Sequence, residues 1–136
     1  MANGGWYGTE EEWERIEAPF ISLDTKLENF AALHCLQITR NHKSWPSRSM
    51  EWGEELRCFI NLYLDDEETL GINLWICVSE DRGLKRYWRH EFLCNGTSLD
   101  EIAPRLHELL TIAKARLDEW QLQPERMVFA TKLAKI

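Results

Sequence analysis

Between Leu56 and Asn95 apolar and polar residues alternate in three successive runs separated by turn-forming residues. Successive side chains of a strand point to opposite faces, so a period of two over runs of this length specifies half-buried β-strands. Arg57 to Leu64 and Leu70 to Ser79 alternate cleanly, and the acidic stretch Asp65 to Thr69 between them suits a hairpin loop. With Leu64 opposite Leu70, Leu62 falls beside Ile72 and Ile60 beside Leu74, giving one apolar face. In the next turn, Asp81-Arg82-Gly83, glycine stands where a three-residue loop needs positive φ, which sets Glu80 opposite Leu84. Carried along the third strand, that register sets Ile76 beside Trp88, Ile72 beside Phe92, and His90 opposite Leu74. A slip by one residue would turn Tyr87, Arg89 and Glu91 onto the apolar face, where unpaired charge costs several kcal/mol.

The same registers define a second face carrying Phe59, Asn61, Tyr63, Asn73, Trp75, Tyr87, Arg89 and Glu91. Phe59, Trp75 and Arg89 form one transverse row, and Asn61, Asn73 and Glu91 the next. Rings supply contact area, amides supply donors and acceptors, and Arg89 over Trp75 makes a cation–π contact. These eight residues are the candidate ligand- or partner-binding set. The same composition also serves a plain half-exposed sheet, in which aromatics and amides pair across strands for stability.

The flanks supply the helices. Thr9 and Glu12 form a capping box for a short helix to about Glu17, ended by Pro19. Asp24 then caps a second short helix with an apolar stripe of Leu23, Leu27, Phe30 and Ala31. A first strand follows over about Leu33 to Arg40, and Asn41 to Glu55 reads as a long ordered loop pinned by Trp45 and Trp52. Ser98 and Glu101 open the longest helix, to about Gln121, with the stripe Leu106, Leu109, Leu110, Ala113, Leu117 and Trp120. Pro104 either distorts its first turn or marks its true start. The expected fold is α+β and a single domain over residues 1–136. It has a mainly antiparallel meander of about four strands, a long C-terminal helix on one face and two short N-terminal helices, with loosely ordered tails at 1–8 and 125–136.

Several functional classes are disfavoured. A net charge of −7 and a pI near 5.1 oppose non-specific contact with nucleic acid or anionic lipid. Lys85 to His90 interleaves basic and aromatic residues, a pattern that suits single-stranded nucleic acid, yet only Lys85, Tyr87 and Arg89 share a face. Nucleic acid is therefore not an expected partner. Cys35, Cys58, Cys77 and Cys94 lack zinc-ligand spacing and read as reduced small hydrophobes, so no metal or cofactor is expected. The serine elbow, phosphate loop and H-E-x-x-H motif are all missing, and His34, His42, His90 and His107 are scattered. His90 and Glu91 are strand neighbours on opposite faces and form no dyad. With no leader pattern and no apolar run near ~20 residues, the sequence reads as that of a soluble cytoplasmic protein without a membrane partner.

The leading expectation is an intracellular binding or protein-interaction domain without catalytic activity, acting on a protein partner or small ligand through the aromatic and polar sheet face. An apolar pocket under the C-terminal helix, lined by Trp88, Phe92 and Trp120, is a variant of it. A small hydrolase or transferase centred on Glu91 and Arg89, with Asn61 and Asn73, is the alternative. A third reading is an acidic inhibitor or immunity-type protein whose Asp65 to Glu68 hairpin faces a basic partner. Burial of the aromatic face by a second copy would make a homodimer.

Overall fold

The structure, a computed structural model, describes residues 8–41, 45–54, 56–66, 68–79 and 85–122, except for the side chains of 78, 79 and 85–88. One helix, α1 (Glu10–His34), occupies the N-terminal region where two short helices are expected. Its N-cap is the anticipated one, Thr9 Oγ1 accepting from the Glu12 N–H at 3.1 Å. Pro19 lies inside the helix instead of ending it. A proline in a helix interior costs ~3 kcal/mol, but Trp13, Ile16, Phe20, Leu23, Leu27 and Phe30 form one buried stripe across the break. Each large apolar side chain buried contributes ~1.5–3 kcal/mol, so the stripe outweighs the proline. Asp24 is consequently no cap: it is buried in mid-helix and faces the sheet.

The sheet is a five-stranded antiparallel meander, β1 (Gln37–Asn41), β2 (Ser47–Trp52), β3 (Leu56–Leu64), β4 (Thr69–Ser79) and β5 (Lys85–Ser98), in that spatial order. The expected long loop from Asn41 to Glu55 thus contains the additional strand β2. Arg48 conceals it in the sequence, since it occupies an inward position and is 1% exposed. Two bonds hold its guanidinium to Asp24, Nε to Oδ1 at 2.7 Å and Nη2 to Oδ2 at 3.1 Å. Nη2 also reaches Glu17 Oε2 at 3.4 Å, and Nη1 donates to the Ser47 carbonyl at 3.1 Å. A buried cation is tolerable only with this degree of pairing.

The β3–β4 register is the expected one, with Leu64 opposite Leu70, Leu62 opposite Ile72 and Ile60 opposite Leu74. Glu80 and Leu84 lie outside the described residues, but the adjoining pairs Ser79–Lys85, Val78–Arg86 and Cys77–Tyr87 follow the same spacing. An irregularity between Ile76 and Cys77 then advances β5 by one residue, pairing Ile76 with Arg89, Trp75 with His90, Leu74 with Glu91 and Asn73 with Phe92. The predicted neighbours Ile76–Trp88 and Ile72–Phe92 therefore do not form, and Ile72 pairs with Cys94. The charges carried to the helix side find partners there because β5 is an edge strand: Arg89 lies 4.4 Å from the Trp120 ring centroid, and Glu91 Oε1 lies 3.7 Å from Arg116 Nη1.

After β5 the chain forms α2 (Leu99–Ile102), one 3₁₀ turn over Ala103–Arg105 and α3 (Leu106–Gln121). Pro104 thus distorts the start of the long helix, as one of the two expected outcomes. The buried stripe of α3 is the predicted one. Stripes from α1 and α3 meet Met50, Cys58, Ile60, Leu62, Leu70, Ile72, Leu74 and Ile76 in one hydrophobic cluster. Both long helices therefore cover the same side of the sheet.

Asp24→Ala leaves Arg48 buried without its main partner, and the expected loss is about 3–5 kcal/mol in urea unfolding followed by tryptophan fluorescence. Replacing both together, Asp24→Leu with Arg48→Met, is expected to restore most of it. A loss under about 1 kcal/mol in the single variant would mean that the pair is solvated.

Candidate functional site

The side of the sheet opposite the helices carries Phe59, Asn61, Tyr63, Asn73 and Trp75, as the sequence predicts. A line of side-chain hydrogen bonds crosses three strands. Ser49 Oγ donates to Asn61 Oδ1 at 2.8 Å, and Asn61 Nδ2 donates to Asn73 Oδ1 at 2.8 Å. Trp75 Nε1 donates to the same Asn73 oxygen at 2.7 Å. Both amide orientations follow from these bonds, and Asn73 Nδ2 is a donor that none of them uses. Arg57 forms an ion pair with Glu51 and lies 5.5 Å from the Phe59 ring centroid.

Next to the polar line runs a series of rings. Trp75 and His90 have centroids 4.3 Å apart, His90 and Phe92 are 4.7 Å apart, and Phe92 meets Tyr63 edge-on at 6.2 Å. Tyr63 is held at its hydroxyl end. The hydroxyl donates to Asn95 Oδ1 at 2.8 Å, and the same end of the ring lies so close over Gly71 that a Cβ there would collide with Cζ. Glycine in mid-strand normally weakens a sheet, and here the ring of the neighbouring strand fills its place. Burial, followed by the nearby charge of Asp65 and then by Cys94, pushes the Tyr63 phenol above its ordinary value.

Two members of the candidate set are elsewhere. Arg89 lies over Trp120, not Trp75, and Glu91 lies beside Arg116 on the helix side. The rows Phe59–Trp75–Arg89 and Asn61–Asn73–Glu91 are therefore not formed, and Glu91 does not share a face with the two asparagines that a hydrolytic centre would need. Phe92 likewise cannot line a pocket under α3, for it is on the opposite side and 58% exposed. The Tyr87 and Trp88 side chains lie outside the described residues. His90 and Phe92 are the members that sequence reasoning missed. The available signal was length: β5 has 14 residues against 11 in β4, and the excess is taken up as bulges.

A cleft of about 550 Å³ opens at the sheet end beside Trp45 and Asp65, and a smaller one of about 280 Å³ lies between Phe30 and Pro104. Among the described residues no group of three His, Cys, Asp or Glu side chains is placed to hold a metal, and no helix is long and apolar enough to cross a membrane. Comparison with protein-family models, curated proteins and solved structures finds no match for this chain.

Two outcomes test this geometry. Asn73→Ala removes the acceptor shared by Asn61 and Trp75, and the expected destabilisation is about 1–3 kcal/mol in urea unfolding. Tyr63 has a folded-state pKa above the unfolded value of 10.0, so the native phenol keeps its proton where the unfolded chain loses it. Its contribution is fully present below that value and is lost as pH rises through the folded one. Urea midpoints should fall more steeply above about pH 10 in the native chain than in Tyr63→Phe.

Proposed function

We propose that the chain is an intracellular binding module without catalytic activity that holds a protein partner on the face of its sheet opposite α1 and α3. The observation that carries this reading is Phe92: a large ring, 58% exposed, at a fixed position between His90 and Tyr63. Aromatic side chains lose little conformational entropy on binding and supply most of the energy of protein interfaces, above all where they are held rigid. The Ser49–Asn61–Asn73–Trp75 line supports the same reading, because its geometry is set before any partner arrives. Free thiols at Cys35, Cys58, Cys77 and Cys94 support a reducing compartment.

Placing a photo-crosslinking benzoylphenylalanine at position 92 tests the proposal in cells that make the protein. Irradiation should give a discrete adduct that the same probe at the exposed Ile21 of α1 does not give. An adduct with the mass of two chains would assign the face to a second copy. Absence of any adduct, or the same adducts from both positions, would overturn the reading. Phe92→Ser should cost about 1 kcal/mol, the scale of its ring contacts with His90 and Tyr63, while removing binding.

A further inference from the structure

The cleft at the sheet end has walls and a rim of different chemistry. Trp45, Pro46, Tyr63 and Leu64 make its apolar walls, while Asp65 and Asp66 stand at its rim. Its volume of about 550 Å³ falls in the range of sites that enclose small groups. Trp45 keeps 50% of its surface exposed, and Asn41 Nδ2 donates to its backbone carbonyl at 3.2 Å, tying this segment to the end of β1. The Tyr63 side chain, held by Asn95 and close over Gly71, lines the same cleft.

The rim is anionic in a defined way. Asp66 Oδ1 accepts from the N–H groups of Glu68 at 2.8 Å and Thr69 at 3.0 Å, which closes the β3–β4 turn and leaves Oδ2 outside those bonds. The Glu68 amide is the main cause that holds this carboxyl below its ordinary value, so the charge persists into mild acid. Asp65 lines the same cleft as Tyr63, so a carboxylate stands beside the aromatic wall. Ring faces attract cations, and a guanidinium can stack on a ring while its N–H fork meets a carboxylate. An apolar occupant would leave the two carboxylates unused, and an anion would be repelled.

We infer that this cleft seats an arginine side chain of a basic polypeptide partner, with its guanidinium on the Trp45 ring and its N–H groups directed to Asp65 and Asp66. Continuity favours a cation carried on a chain over a free one. Tyr63 lines the cleft and also ends the aromatic run, so a segment leaving the cleft passes directly onto the face opposite α1 and α3. A net charge of −7 speeds the approach of such a partner. The inference adds a second contact region to the proposed binding face: the assignment to a polypeptide rests on that reading, whereas the arginine seat itself uses neither Trp75 nor Phe92.

The test is a titration of ¹⁵N-labelled protein with the tripeptide acetyl-Gly-Arg-Gly-amide at constant ionic strength, with the norleucine tripeptide and methylguanidinium as comparisons. The arginine peptide should move the Trp45 indole N–H and the Asp65 and Asp66 amides with saturation, and the norleucine peptide should not. Trp45→Ala and Asp65→Asn, both at exposed positions, should each weaken binding by about threefold or more, whereas Trp75→Ala should leave it unchanged. Shifts that rise linearly without saturation, shifts centred on Glu10, Glu11 and Glu12, or equal binding of the norleucine peptide would overturn the site. Methylguanidinium binding as tightly as the tripeptide would overturn the polypeptide assignment.

Discussion

The pairing of Arg48 with Asp24 is the interaction on which the rest of the architecture depends. It sets the inward face of β2 against α1, and Arg40 from β1 adds contacts to Asp24 at 3.4 Å and Glu28 at 2.9 Å. The helix is thereby tied to the first two strands by charge, and to the others by the apolar stripe it shares with α3. A hydrophobic stripe alone tolerates sliding, because one aliphatic contact resembles another. A buried bidentate pair has one low-energy geometry and fixes the helix along its axis, at the risk of a large penalty if either partner is lost.

With both helices committed to one side, the chemistry of the other side is set by strand phase. β1 to β4 keep strict alternation, so the polar line from Ser49 to Trp75 and the ring of Tyr63 share one surface. β5 departs from it near Ile76, and as a result two rings face outward and two charged residues face α3. The rings of His90 and Phe92 on β5 thus join Trp75 on β4 and Tyr63 on β3 in one run on the side opposite α1 and α3. The cleft at the hairpin end adjoins that run, with Tyr63 common to both.

Features governed by neighbours a few residues away were legible in the sequence. Thr9 with Glu12 and Ser98 with Glu101 are caps closed over three residues, and the Leu64–Leu70 register follows from the hairpin loop between them. Features governed by distant partners were not. Arg48 carries no apolar signal and its carboxylates are 24 and 31 residues away, so β2 reads as part of the Asn41 to Glu55 loop. Pro19 reads as a helix end because the stripe that carries the helix past it gains its value only against the sheet. On the site, Phe59 to Trp75 were legible through period two, whereas Arg89 and Glu91 were misplaced because alternation on either side of a bulge looks the same.

The bulge beside Ile76 also bears on how such a surface changes over time. Point substitutions alter one position at a time, but an insertion or deletion of a single residue near position 88 would re-phase the strand beyond it. His90 and Phe92 would exchange sides with Arg89 and Glu91 in one event, turning an aromatic margin into a charged one while the hydrophobic cluster of β3 and β4 stayed intact. The edge strand thereby gives this sheet a route to a new binding specificity that is short in mutational steps and nearly separate from the stability of its core.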